Sequence, residues 1–272
     1  MARGFRFSIG IHTAKSSAAL RDKAQRLEGL GFDALHLPDH LGAPAPFPVL
    51  TAIAAATSAV RLGTYVLNAG FYKPALLARD AAAVNDLSDG RLELGLGAGY
   101  VREEFEAAEL PYPSAGQRVN YLEHVTLYMK EHHPSIPILI AGNGNRLLTI
   151  AAQHADIIGL TGANDRGVGD PLAERVEFVR AAAGDRFAGL ELNLAITAVP
   201  SDNSGKPDLA MTRRYAPSLS DEQLLALPAV LSGSPRDIAD TLRGYRETYG
   251  LTSVTVQEHH AETFAKVIAE FR

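Results

Sequence analysis

The sequence predicts an α/β fold: one (β/α)8 TIM barrel spanning residues 1–272. Three observations predict it. Short runs rich in branched and aromatic residues alternate with helical patterns along the whole chain, eight such runs are present, and no stretch is rich enough in Pro, Gly or Ser to divide two domains. The competing architecture is a doubly wound open sheet.

FRFSIGIH (5–12) is the first strand by its branched and aromatic content. Ser16 or Ser17 then caps a helix with Leu20, Ala24, Leu27 and Leu30 on one stripe, and Gly31 stops it. ALHL (34–37) is the second strand, and a helix runs from Pro46 to about Ala59. RLGTYVL (61–67) is the third strand. Pro74 opens a helix with Leu77, Ala81 and Val84 on its apolar face. SDGRLELGLG (88–97) is a turn feeding the fourth strand, followed by helical stretches at 102–109 and 117–132. IPILIAG (136–142) is the fifth strand and RLLTIAAQHA its helix. DIIGL (156–160) is the sixth, with a helix around 171–183, and LELNLAITAV (190–199) is the seventh. Residues 201–219, polar with Gly and Pro, read as a loop. A short helix near 220–227 follows, then a longer one from Pro235 to Tyr249 capped by Ser234. SVTVQ (253–257) is the eighth strand, and AETFAKVIAEFR is a closing helix.

Composition excludes several classes. With 46% hydrophobic residues, 21% charged and a net charge of −5, the chain lacks the basic face that nucleic acid requires. No residue is Cys, which excludes disulfides, thiolate zinc sites and cysteine nucleophiles. MARGFRFSIGIH reads as a first strand and not a signal peptide, and LTAIAAATSAV is too short to span a bilayer. The expectation is a soluble, cytoplasmic protein without a membrane partner.

A barrel places its active site at the C-terminal ends of the strands. LHLPDHLG (35–42) lies at such an end. Its residue types suit a metal site, an acid–base pair or a polar loop, but His36 lies inside the strand and His40 beyond Pro38, so helical metal-ligand spacing is lost. Asp39 and His40 remain as candidates for acid–base work or a cofactor edge. GLGAGY (95–100) ends a strand with glycines that would let backbone approach a flat ring, or serve only close packing. In AGNGNRLL (141–148) an Asn-Gly turn coincides with a helix start, an arrangement whose amides bind phosphate, with Arg146 adding charge. Asn68 at the third strand's tip can bond a ring edge or hold a bulge. Glu103 and Glu104 read as acids or bases or, more simply, as first-turn helix acids. Glu258, His259 and His260 at the end of the eighth strand either line the mouth or, as adjacent histidines at a helix start, stand exposed.

PDHLG, KPALLARDAAAVNDLSDGRLELGLGAGYVREEFEAA and PILIAGNGNRLLTIAAQHADIIGL, in this order, resemble the bacterial luciferase-like monooxygenase superfamily, and within it the F420-dependent oxidoreductases. The resemblance implies a TIM barrel with a deazaflavin or flavin ring at the C-terminal ends of the strands. It implies a bulge, often with a non-proline cis peptide, at Leu67, Asn68 and Ala69; a cofactor flank at Gly97, Ala98 and Gly99; and a phosphate site at Ala141, Gly142, Asn143, Gly144 and Asn145, helped by Thr161 and Gly162. Asp39 and His40 would serve proton transfer, with Asp39 orienting His40. One departure is a shortened insertion between helix 4 and strand 5, where YLEHVTLYMKEHHPSIPILI passes almost directly from helix to strand. In relatives that segment is expected to shape the substrate mouth.

The leading expectation is therefore hydride transfer between F420 and a small organic substrate, with no metal. The alternatives are an FMN-dependent monooxygenase served by a partner reductase, and a flavin-binding relative without catalysis. A homodimer is expected, formed through the second and third helices.

Overall fold

The computed structural model describes residues 4–162 and 170–272. Residues 1–3, part of the N-terminal stretch read above, lie outside them. Among the described residues nine strands run parallel: β1 (Arg6–Gly10), β2 (Ala34–Leu37), β3 (Arg61–Thr64), β4 (Leu67–Asn68), β5 (Leu92–Gly97), β6 (Ile138–Ala141), β7 (Ile157–Leu160), β8 (Glu191–Ala195) and β9 (Ser253–Gln257). Their hydrogen-bonded order is β3-β2-β1-β9-β8-β7-β6-β5-β4, and β3 also pairs with β5, which closes the sheet. β3 and β4 are two parts of one stave, parted at a cis peptide between Tyr65 and Val66. The barrel thus has eight staves, and the expected third strand RLGTYVL is split in two.

The helices are α1 (Ser17–Gly29), α2 (Pro46–Ala56), α3 (Pro74–Leu87), α4 (Arg102–Ala107), α5 (Ala115–His132), α6 (Asn145–His154), α7 (Pro171–Ala183), α8 (Ala210–Tyr215), α9 (Asp221–Leu225), α10 (Pro235–Tyr249) and α11 (Ala261–Ala269). Their starts follow local chemistry. The Ser16 hydroxyl accepts from Ala19 N, Ser234 and Asp237 cap each other reciprocally, and α2, α3, α7 and α10 carry Pro in the first turn, where its missing N–H costs nothing. The expected loop 201–219 contains α8. Asp208 Oδ1 accepts from Ala210 N at 2.8 Å, and the buried Thr212 shares a 2.8 Å hydrogen bond with Thr197. Six residues are too few to show a helical period in the sequence.

The apolar core lies between barrel and helices. Phe7, Ile9 and Ile11 alternate outward along the first strand, and Phe7 meets Phe271 at 5.1 Å and Phe264 at 5.9 Å between ring centres. Burying each such ring stabilises by roughly 1.5–3 kcal/mol. The opposite faces of the strands point into the barrel, and there the residues are small or polar where a barrel usually carries branched aliphatics. Glu93 is 3% exposed and collects Arg6 Nη2 at 2.8 Å, Arg61 Nε at 3.0 Å and His36 Nε2 at 3.0 Å; Arg6 Nη1 also holds Glu191 at 2.9 Å. Burial alone would raise the Glu93 pKa. His36 and Arg6 reverse that and hold it well below the usual carboxylate range.

This charged cluster is the barrel floor, at the N-terminal ends of the strands. A cavity of about 430 Å³ opens beside it, lined in part by Arg61, Glu191, Pro134 and Ser135. The expectation for the shortened α5–β6 connection is corrected here. Pro134, Ser135 and Pro137 face the floor, at the end of the barrel away from His40, so shortening this link trims the floor and not the substrate mouth. Helix-to-strand links fall at this end in any such barrel.

Candidate functional site

At the opposite end, β2 stops at Leu37 and Pro38 turns the chain outward. Asp39 and His40 follow, and the structure gives them different partners. Asp39 Oδ2 accepts from Asn68 N at 3.0 Å and also bonds the Tyr72 hydroxyl. Its pKa is raised, chiefly by burial, against the opposing pull of the Asn68 amide, Tyr72 and His40. His40 Nδ1 lies 2.9 Å from Glu104 Oε1. The expectation that Asp39 orients His40 is thus corrected: Glu104 holds the imidazole, and Asp39 holds the backbone of the neighbouring stave.

Glu104 is placed by its helix. It sits in the first turn of α4, where a carboxylate is favoured by the helix dipole. The next residue, Phe105, is 1% exposed and packs its ring on Phe71 at 5.3 Å and Tyr112 at 5.2 Å, which anchors the helix. The Glu104 side chain is 15% exposed and that of His40 is 48% exposed, so the pair offers its imidazole edge to the mouth and keeps its carboxylate sheltered. Sequence reasoning left Glu104 among plain first-turn acids. The available signal was its place, a few residues beyond the glycine-rich end of β5.

The third stave departs from expectation by two residues. The cis peptide lies at Tyr65–Val66, whereas the bulge was expected at Leu67–Asn68–Ala69. Leu67 and Ala69 are fully buried in the core, so their side chains face away from the mouth. Val66 is half-buried and leans over the fourth barrel strand: a Cβ added to Gly97 would fall 2.6 Å from Val66 Cγ2. Asn68 Oδ1 accepts from Gly70 N at 3.0 Å, and its amide group lies against Gly99. Gly99 has φ +71°, and a Cβ there would fall 2.1 Å from Asn68 Oδ1. Both backbone conformation and space require glycine at that position. Val66, Asn68, Gly97, Ala98 and Gly99 thus shape a shallow wall of small groups next to the His40–Glu104 pair.

At the loop after β6, the Asn-Gly turn and the start of α6 coincide. Asn143, Gly144 and Asn145 are exposed at the start of α6, and Asn143 Nδ2 donates to Thr161 Oγ1 at 2.6 Å. Gly144, the residue before the helix, supplies no side-chain cap, so the first-turn amides point outward without a capping oxygen. Ala141 and Gly142 lead into the turn half-buried, and Gly162 is buried behind Thr161. Arg146 turns away to Asn120 on α5. The cation beside the loop is instead Arg175 of α7, whose Nη1 reaches Asn145 Oδ1 at 2.6 Å and Asn143 O at 3.4 Å. No sequence pattern singled Arg175 out, because it comes from the following helix.

At the last stave, Glu258 accepts from His12 N at 2.7 Å and from Lys23, which ties the ends of β9 and β1. His260 was expected to be exposed. It is 2% exposed, with neither ring nitrogen hydrogen-bonded, and burial followed by His259 lowers its pKa to about 4. Among the described residues no helix is long and apolar enough to cross a membrane.

The chain is similar to several known proteins. A family model described as luciferase-like monooxygenase matches residues 3–122, the segment that carries Asp39, His40, Asn68, Gly97, Gly99 and Glu104. An F420-dependent glucose-6-phosphate dehydrogenase of Intrasporangium calvum is 28% identical over 285 residues, covering 83% of this chain and 84% of the relative. In fold, the chain resembles the coenzyme F420-dependent tetrahydromethanopterin reductase from Methanopyrus kandleri, with a TM-score of 0.76 at 16% identity over 99% of this chain and 100% of that one. It resembles equally an F420-dependent secondary alcohol dehydrogenase solved with an F420–acetone adduct, with a TM-score of 0.77 at 15% identity over 99% and 100%. Residues 3–122 are thus similar to the luciferase-like monooxygenase family, within a chain whose described residues form one closed parallel barrel.

Proposed function

We propose that the protein is an F420-dependent oxidoreductase that moves a hydride between the deazaflavin and a small organic substrate. The observation that carries the reading is the His40–Glu104 pair, 2.9 Å apart and set beside a wall of small groups. The names of the relatives supply the cofactor class. The residues present fit that group. Gly97 and Gly99 let Val66 and Asn68 pack closely and keep that wall free of larger side chains, and the uncapped α6 amides with Asn143, Asn145, Thr161 and Arg175 suit a phosphate.

When bound, F420 would accept or return a hydride at its ring carbon. The protein's own share is positioning and proton handling. Val66, Asn68 and Gly99 would set the ring's depth, and the substrate oxygen would lie against His40. In the oxidising direction, His40 would take the substrate's hydroxyl proton at the imidazole edge that Glu104 leaves free, as the hydride departs from the substrate carbon. In the reducing direction, the same imidazole returns the proton to the carbonyl oxygen. An imidazole suits this because its ordinary pKa lies near neutrality. Glu104 fixes the ring orientation and stabilises its protonated form. Asp39 acts one step back, holding the Asn68 backbone.

Titrating the protein with F420 and with FMN, followed by absorbance and fluorescence, tests the reading. F420 binding in the micromolar range or tighter is expected. Tight FMN binding without F420 binding would sink the deazaflavin assignment.

A further inference from the structure

The end of β1 has no role in the account above. Ile9 and Ile11 are buried in the core outside the barrel, so the alternate residues Ser8, Gly10 and His12 face its interior. His12 lies just past the strand, and its ring folds back over Gly10: a Cβ there would fall 3.1 Å from His12 Nε2. β9 runs alongside, with Gly10 opposite Gln257. Val254 and Val256 are buried in the same core, so Ser253, Thr255 and Gln257 also face inward. Asn193 bonds Ser253 at 2.8 Å and Thr255 at 3.2 Å, which closes the layer beneath Gln257. His12 Nε2 meets Gln257 Oε1 at 2.9 Å. An imidazole and a carboxamide are therefore clasped over the interior, at the C-terminal ends of two adjoining staves.

The clasp stands next to His40. β1 also pairs with β2: Gly10 lies opposite His36, and Ile11 N donates to His36 O at 2.7 Å. That register sets His12 level with Pro38, two residues before His40. Neighbouring strands are about 4.8 Å apart and an extended residue spans at most about 3.6 Å, so the two histidine Cα atoms are within about 12 Å. The wall of Val66, Asn68, Gly97 and Gly99 belongs to the staves on the other side of β2, so His40 lies between that wall and the clasp. The clasp also has unspent polar atoms. Among the described residues, neither His12 Nδ1 nor the Gln257 amide nitrogen has a hydrogen-bond partner. With Gln257 Oε1 accepting, His12 Nε2 carries the ring proton, which leaves Nδ1 as an acceptor and the amide nitrogen as a donor. If the amide is turned over the roles exchange, and the pair still presents one donor and one acceptor. A hydroxyl is both at once, whereas a carboxylate or phosphate only accepts. The cation of this corner is spent: Lys23 donates to Thr13 O at 2.9 Å and to Glu258, and Glu258 Oε2 takes His12 N at 2.7 Å.

We propose that His12 and Gln257 read a hydroxyl on the carbon next to the reacting one, so that the substrate is a vicinal diol or, in the reverse direction, an α-hydroxy carbonyl compound. This rests on the oxidoreductase reading and adds the substrate class. The oxygen at His40 belongs to the reacting carbon. The second hydroxyl is held by the clasp and leaves the reaction with all its atoms.

The test uses the F420-loaded protein with cyclohexanol, cyclohexane-1,2-diol and 2-hydroxycyclohexane-1-carboxylate, which differ in the group beside the reacting carbon. Turnover is read by loss of the oxidised cofactor's absorbance, and binding is read separately by saturation-transfer NMR. The expected result is that kcat/KM for the diol exceeds that for cyclohexanol by about tenfold or more, the loss when a donor and an acceptor go unmet. His12→Ala should bring that ratio close to unity. Gln257→Glu keeps an acceptor for the His12 ring but removes the amide donor, and should cut the ratio by about fivefold. F420 affinity, measured alongside, shows that each variant is folded. The hydroxy acid as the best substrate, a parent ratio close to unity, or a ratio that His12→Ala leaves intact would overturn the proposal. If F420 binds but none of the three turns over, stronger saturation transfer to the diol than to cyclohexanol, abolished by His12→Ala, upholds the hydroxyl site, and equal transfer overturns it. Failure to bind F420 at all brings down the oxidoreductase reading instead, and saturation transfer from the cofactor-free protein then decides for or against the hydroxyl site.

Discussion

Glu93→Gln removes the carboxylate on which Arg6, Arg61 and His36 converge at the barrel floor. The amide keeps the shape and one acceptor oxygen but turns N–H donors toward groups that are themselves donors. Breaking a buried ion pair by removing one partner costs about 3–5 kcal/mol. The lower end applies here, because Arg6 keeps Glu191 at 2.9 Å and Arg61 keeps the Leu92 carbonyl at 3.0 Å. With an unfolding entropy of about 2.1 cal/mol/K per residue, a chain of 272 residues changes by about 0.6 kcal/mol per degree near its midpoint. A loss of about 3 kcal/mol is therefore a fall in Tm of about 5 °C. Circular dichroism melts of parent and variant measure it. The pH dependence gives an independent check on the cause. Glu93 has a depressed pKa in the folded state, so its stabilisation is present above the unfolded value of about 4.3 and is lost as pH falls below that toward the folded value. The parent's lead over Glu93→Gln should accordingly shrink below about pH 4. A Tm within about 1 °C of the parent, or a lead that stays constant down to about pH 3, would refute the assignment of this cluster as an energetic centre of the floor.

His40→Ala should lower kcat by about 10²–10⁴ with little change in F420 affinity, measured by stopped-flow reduction and equilibrium titration. Asp39→Asn should show its main effect in F420 affinity and Tm, because its carboxylate bonds the Asn68 amide and not His40; equal losses of kcat in both variants would count against this division. Gly99→Ala must place a Cβ against Asn68 at φ +71°, and it should lose about 1–3 kcal/mol of stability together with cofactor binding, seen in urea melts and F420 titration. Arg175→Ala should weaken F420 about tenfold but leave binding of the phosphate-free deazaflavin nucleoside unchanged, which locates the contact at the phosphate. His260→Leu should flatten the acid side of the stability curve. A histidine whose folded pKa is lowered to about 4 contributes stability that is present above its unfolded value of about 6.5 and lost between there and about 4, an effect of up to about 3 kcal/mol in pH-dependent urea titrations.

Much of the barrel was legible because its signals are local. ALHL and SVTVQ stand in the structure at the residues read from sequence, and Ser16, Pro74 and Ser234 begin their helices as capping chemistry requires. The misreadings share one physical origin. RLGTYVL has the composition of a continuous strand, and nothing within it announces that the stave divides at Tyr65. α8 has too few residues to show a period and is held by Thr197 and its apolar cluster, contacts far off in sequence. At the site, Asp39 and His40 were found together because they are adjacent. Glu104 was undervalued because its partner lies 64 residues away, and Arg175 was missed for the same reason. Adjacency suggested a working pair, while the fold gave each residue a different one.

The crowded inner wall of the barrel bears on how such a sequence can drift over time. A Cβ at Gly97 would meet Val66 at 2.6 Å, whereas one at Gly63 would meet the Glu93 backbone oxygen at 2.8 Å as well as the His36 ring at 2.9 Å. Gly97 is the complement of a branched side chain on the neighbouring stave, so neither member of that pair can change alone without a clash or a void. Across divergent homologues a larger residue in place of Gly97 should therefore accompany a smaller one at Val66, while Gly63, set against fixed backbone, should stay glycine whatever stands at His36.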